Sequence, residues 1–81
     1  MEVESQVINI LSRMTSRSQN ELGRDTNLFM DLGLESITIT ELIIKCEEAF
    51  GISVDEDKIA DLITIGDIVD LVIKEVNYSN V

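Results

Sequence analysis

Ser36 is the side chain in this 81-residue chain whose setting could support chemistry. It closes the run Asp31-Leu32-Gly33-Leu34-Glu35-Ser36, where a long loop meets an acidic, amphipathic helix. It has no histidine to activate it. The chain contains no His and one Cys, which excludes Ser-His and Cys-His catalysis as well as a Cys/His zinc site. On the residues alone, Ser36 reads as an N-cap, with Leu32 and Leu34 as loop anchors and Glu35 favoured by the helix dipole. Asp55, Asp57 and Asp61 suggest a calcium loop, but Ile59 and Ala60 stand where an oxygen ligand and a glycine are needed. No metal site is expected. Gly23 and Gly33 allow unusual backbone angles but form no phosphate-cradling loop, since no Lys follows at the required spacing. Cys46 lies on an apolar stripe and reads as a small core residue. Asn77-Tyr78-Ser79 matches a glycosylation sequon, by chance in a chain without a visible secretion signal.

The elements that must position Ser36 follow from apolar spacing. Val3, Val7, Ile10 (or Leu11) and Met14 mark a helix over roughly residues 2–16. Arg13 and Arg17 suit its C-terminal end. Residues 17–35 form a long connection without a clear period, and Leu22, Leu28, Phe29, Leu32 and Leu34 are expected to pin it to the core. A second helix starts at Ser36, with Ile39, Leu42, Ile43, Cys46 and Phe50 on one face and Gly51 as its stop. Ser53-Val54-Asp55-Glu56 reads as a capping box before a short helix carrying Ile59 and Leu62. Thr64-Ile65-Gly66-Asp67 reads as another, leading into Ile68, Val69, Val72, Ile73 and Val76. Residues 77–81 are expected to fray. The expected fold is all-α: a four-helix bundle with a long first loop and a short third helix, one domain over residues 1–81.

Charge narrows the function further. Six Lys and Arg against 16 Asp and Glu leave a formal net charge of −10. Nucleic-acid binding needs the opposite sign, and docking on anionic lipid is disfavoured. No apolar run approaches membrane-spanning length, so no membrane insertion is expected. The start Met1-Glu2-Val3-Glu4 shows no signal peptide, and one Cys forms no internal disulfide. The expectation is a cytoplasmic monomer that is not an enzyme.

Asp31-Leu32-Gly33-Leu34-Glu35-Ser36-Ile37 resembles the Asp-Leu-Gly-x-Asp-Ser-Leu signature of the acyl carrier protein family. The likeness extends to Thr26-Asn27-Leu28-Phe29 upstream. Downstream it includes Glu41-Leu42, Glu47-Glu48, Phe50-Gly51-Ile52 and Thr64-Ile65-Gly66-Asp67. It needs no gap from residue 26 to residue 76. The resemblance implies that Ser36 carries a covalent 4'-phosphopantetheine arm, moved there from coenzyme A by a phosphopantetheinyl transferase using a divalent cation. The terminal thiol then holds acyl groups as thioesters. Ser36 is then an attachment point whose activation comes from outside. A helix N-terminus suits the charge of the linking phosphodiester.

The resemblance also assigns docking roles to Glu35, Glu41, Glu47 and Glu48, which match acidic positions that meet basic patches on acyl-transfer and chain-elongation enzymes. Ile44 occupies the place of an exposed apolar contact and lies off the core stripe. Long-range attraction speeds encounter without demanding tight binding, which suits a carrier that visits enzymes briefly. Some positions depart from the pattern. Glu35 replaces the usual Asp, Thr38 a common acid and Thr40 a common apolar residue, and no Pro lies near Val54-Asp55. They make a dedicated carrier for specialised lipid or polyketide synthesis as plausible as a fatty-acid carrier. Two alternatives stay open: an aminoacyl or peptidyl carrier, and an acidic helical interaction module without a prosthetic group.

Overall fold

A computed structural model describes residues 2–79. Among them are four α-helices: α1 (Val3–Thr15), α2 (Ser36–Phe50), α3 (Glu56–Ile59) and α4 (Ile65–Ser79). A 3-10 turn at Gln19–Glu21 interrupts the first connection. The all-α architecture, the long first loop and the short third helix are as expected from the sequence.

The core is built from three helical faces. α1 contributes Val7 and Leu11, which resolves the Ile10/Leu11 ambiguity in favour of Leu11, while Ile10 stays half-buried. α2 contributes Ile39, Leu42, Ile43 and Cys46, and α4 contributes Ile65, Ile68, Val69 and Val72. Each set recurs at steps of one, three or four residues, so one stripe per helix meets the others and excludes water. Leu22, Leu28, Ile52 and Leu62 close the ends from the connections. No polar or charged side chain is buried among the described residues, so the core carries no polar desolvation cost. Ile73, expected on the α4 stripe, is turned outward at 39% exposure, so the buried stripe of α4 ends at Val72. The frayed end was expected from Asn77, but α4 continues through Ser79. Residues 80–81 lie outside the described residues.

Helix ends show which sequence signals were used. α2 stops at Gly51, which adopts the left-handed conformation (φ +66°) that a Cβ disfavours. Thr64 and Asp67 make the expected reciprocal cap. The Asp67 N–H donates to Thr64 Oγ1 (3.2 Å), and Asp67 Oδ2 accepts from the N–H groups of Thr64 (3.0 Å) and Ile63 (2.9 Å). These bonds hold the Asp67 carboxyl below the usual carboxylate pKa, since they favour its charged form. The Ser53 capping box does not form. Asp55 is the N-cap of α3 and its side chain makes no capping bond. The Val54 N–H donates instead to Glu47 Oε2 on α2 (2.8 Å), a charged acceptor that folding brings alongside. α3 is a single turn, too short to stand alone, and Lys58 ties it to Glu75 of α4 at 2.9 Å.

Three backbone hydrogen bonds lock the first loop onto the start of α4. Leu28 N–H donates to Ile63 O (2.8 Å), Ile65 N–H to Thr26 O (3.0 Å) and Gly66 N–H to Arg24 O (2.9 Å). A Cβ on Gly66 would meet that Arg24 carbonyl at 3.0 Å, so any side chain there would press on the loop. Arg24 then spans Asp70 (2.8 Å) and Glu4 (3.5 Å), joining loop, α4 and α1.

Candidate functional site

Residues 27–35 are organised by their own polar groups. Asn27 Oδ1 accepts the N–H groups of Phe29 (2.9 Å) and Met30 (2.8 Å) in an Asx turn. Asp31 Oδ2 accepts the Asn27 N–H (2.8 Å), closing the turn from the other side. The Leu34 N–H then reaches back to Leu28 O (3.0 Å). Gly33 supplies the left-handed residue (φ +64°) that this reversal needs; Gly23 has no positive φ. Leu28 is fully buried, and Leu32 and Leu34 pack partly against the core. Phe29 departs from the expected set of anchors. It is 40% exposed, because the Asx turn leaves Leu28 as the inward residue and turns its neighbour outward.

This loop delivers Ser36 in a defined state. Glu35 is the N-cap, extended at φ −97° and ψ 163°, and its carbonyl accepts the first helical bond from Ile39 N–H (3.1 Å). Ser36 is therefore the first helical residue and not the cap. Its side chain is exposed, and no hydrogen bond engages its hydroxyl among the described residues. Glu35 makes no side-chain capping bond either, so the N–H groups of Ser36, Ile37 and Thr38 are left without a protein acceptor. A phosphodiester on Ser36 Oγ would meet those donors and the positive end of a helix of 15 residues. The residues present fit such a group.

A groove of about 430 Å³ opens beside Ser36, lined by Phe29, Ile39, Thr40, Glu56, Ile59 and Ala60. It runs between the start of α2 and α3. Phe29, Ile39, Ile59 and Ala60 give it an apolar floor, and Thr40 and Glu56 give it polar edges. Thr40 is held there by its hydroxyl, which donates to Ser36 O (3.1 Å).

The acidic residues singled out from sequence fall into three settings. Glu35 is exposed directly before Ser36. Glu41 and Glu48 are exposed along α2, and Ile44, at 49% exposure, lies between them. Glu47 is half-buried and holds the Val54 N–H. Two apolar residues were missed. Ile37 is 67% exposed and heads the same stripe as Glu41, Ile44 and Glu48, at steps of four, three and four. Its seven-residue spacing from Ile44 was the available signal. Met30 is 85% exposed at the tip of the loop. Cys46 is fully buried, and burial, with a smaller push from Glu47, raises its thiol to about 11. A core role for Cys46 follows. Among the described residues no group of three His, Cys, Asp or Glu could hold a metal ion. Among the described residues no helix is long and apolar enough to cross a membrane.

Residues 5–72 match the family model described as "Phosphopantetheine attachment site". The chain is 33% identical over 72 residues to the acyl carrier protein of Nitratidesulfovibrio vulgaris, covering 89% of this chain and 95% of that protein. It is 30% identical over 74 residues to the acyl carrier protein of Thermotoga maritima, covering 91% of each. Among solved structures, an acyl carrier protein from Thermotoga maritima superposes with a TM-score of 0.80 at 21% identity, covering 93% of this chain and 87% of that one. One from Enterococcus faecalis gives 0.76 at 23% identity, covering 90% and 92%. At these identities the structural likeness speaks for the fold.

Proposed function

Since this chain belongs to the acyl carrier protein family, carriers rather than enzymes that hold a covalent 4'-phosphopantetheine, we propose that Ser36 is the residue that bears it. The observation that supports this is the free Ser36 hydroxyl at the first position of α2. Once attached, the group supplies a thiol that carries acyl chains as thioesters. The chain's own residues do the rest. Ser36 Oγ contributes the attacking oxygen: its bond to phosphorus forms as the pyrophosphate bond of coenzyme A breaks, releasing the adenosine bisphosphate. The displaced proton goes to a base on the transferase, because this chain has no His to take it. The open N–H groups of Ser36, Ile37 and Thr38 favour the resulting negative charge. Phe29, Ile39 and Ile59 offer apolar surface along which an arm or its cargo can rest.

Partner enzymes of the family are biosynthetic enzymes and the phosphopantetheinyl transferase. For this chain we assign the encounter surface to Glu35, Glu41, Ile37, Ile44 and Glu48, an acidic stripe with an apolar spine that leads from Ser36 along α2. Basic patches on acyl-transfer and chain-elongation enzymes complement it. Glu47 contributes charge at its side while holding the next loop.

Intact-mass measurement after incubation with coenzyme A, magnesium and a promiscuous phosphopantetheinyl transferase tests the site. A gain of one phosphopantetheine on the wild type and none on Ser36→Ala is expected. No gain on the wild type, or the same gain on Ser36→Ala, overturns the assignment. Parallel loading with fatty-acyl, polyketide-type acyl and aminoacyl donors then identifies the cargo; we expect acyl groups.

A further inference from the structure

We propose that the groove between α1 and α2 docks an acidic, amphipathic helical segment of a partner protein, independently of Ser36. The groove has a volume of about 610 Å³ and is lined by Ile10, Arg13, Met14, Lys45, Glu48 and Ala49. Its walls combine three apolar side chains with two cations and one acid. In a chain of net charge −10 this makes it a locally positive spot.

The cations are available. Arg24 is engaged by Asp70 and Glu4, and Lys58 by Glu75. Arg13 and Lys45 form no ion pair among the described residues, and Glu48 stands within the same groove without bridging to either. Arg13 and Lys45 both line this apolar surface, where an incoming carboxylate can pair with them. Ile10, Met14 and Ala49 supply what an aliphatic side chain packs against, and methionine adapts to differing shapes. A helix that presents leucines with flanking glutamates satisfies both demands.

Shape and charge disfavour a flat anionic membrane. A bilayer would bring its charge against the whole acidic surface, whereas a single helix meets the groove alone. At physiological ionic strength, charges more than about 8 Å away are largely screened, so the local sign decides. Lys45 lies nine residues beyond Ser36 on α2, roughly 14 Å along the axis. The groove is therefore set apart from Ser36 itself, although its Glu48 wall belongs also to the encounter stripe.

The test uses a fluorescently labelled helical peptide with leucines at i, i+3, i+4 and i+7 and flanking glutamates, and a twin in which lysines replace the glutamates. Binding is read by anisotropy and mapped by amide chemical shifts on the full chain. The glutamate peptide is expected to shift Ile10, Arg13, Met14, Lys45 and Ala49. It should bind Arg13→Glu/Lys45→Glu about tenfold or more weakly, as two lost exposed ion pairs imply. Arg13→Gln/Lys45→Gln provides the same comparison with milder changes should the reversal fail to fold. Mass gain at Ser36 should be the same in these variants as in the wild type, which separates this proposal from the assignment of Ser36. The proposal is overturned if the glutamate peptide does not bind, binds the variants equally, or shifts the Ile37/Ile44 stripe instead. It is equally overturned if phosphatidylglycerol vesicles rather than the peptide bind through Arg13 and Lys45. A self-association in sedimentation that the variants abolish would assign the groove to a second copy and also overturn it.

Discussion

The Glu47 carboxylate, on the helix that displays the acidic stripe, accepts the backbone N–H of Val54 at 2.8 Å. A side chain that looks in sequence like one more docking charge is thus part of the connection to α3. It separates two kinds of glutamate on a single helix.

Glu47→Ala should therefore destabilise the fold by about 1.5–3 kcal/mol, the usual worth of a hydrogen bond to a charged acceptor. For a domain of this size, that lowers the melting temperature by roughly 4–8 °C per kcal/mol. Glu41→Lys and Glu48→Lys should leave the melting temperature unchanged or slightly raised, since they reduce net negative charge. Their effect should fall on association with the transferase, which should slow and lose its salt dependence. Thermal melts beside loading kinetics at two salt concentrations distinguish the groups. Equal melting losses in all three variants would contradict the distinction.

Asp67 gives the fold a pH-dependent element. Its two backbone hydrogen bonds depress its folded pKa, so its contribution is complete above the unfolded carboxylate value and is lost as pH falls through the folded one. At neutral pH, Asp67→Ala should cost about 1–2 kcal/mol. The gap in melting temperature between wild type and variant should narrow as pH drops below about 4, where the unfolded carboxyl becomes protonated. Melts across an acid pH series provide the check, and a gap that widens in acid would refute the sign.

Gly66→Ala tests the clamp between the first loop and α4. The added methyl would press on the Arg24 carbonyl, which is backbone and cannot swing aside. The penalty should be about 1–3 kcal/mol despite the higher helix propensity of alanine. Arg24→Ala removes only exposed ion pairs and should cost less than about 1 kcal/mol. Denaturant titration of both variants ranks them; a stabilised Gly66→Ala would show that the approach is looser than it stands here.

Cys46 should be inert in the native protein. Burial excludes reagent and raises the thiol to about 11, leaving little thiolate at neutral pH. Labelling with a thiol-specific disulfide reagent should be slow under native conditions and complete in denaturant. Fast native labelling would place Cys46 outside the core.

Much of this molecule was legible in one dimension because its signals are local. A cap needs residues three apart, and Thr64 with Asp67 met that condition without help from the rest of the fold. Gly51 ends α2 through its own backbone freedom. The stripes Val7/Leu11 and Ile65/Ile68/Val69/Val72 follow from helical period. Readings failed where periodicity and cap motifs did not show which local geometry the chain would take. Ser53 is not a cap because α3 begins two residues later, with Asp55 in that place, and Phe29 was turned out by an Asx turn whose neighbour Leu28 took the buried place.

Sequence by itself determined the helical class, the sign of the surface, the lack of internal His-dependent catalysis and which serine we propose as the attachment point. Those depend on composition and on neighbours a few residues away. Tertiary structure alone decided that Ser36 starts its helix rather than caps it, that Glu47 is occupied while Glu41 and Glu48 are not, and that Arg13 and Lys45 share a groove. Each of these depends on which side chains packing brings together across many residues, and a hydroxyl or a charge is available only when no such neighbour claims it.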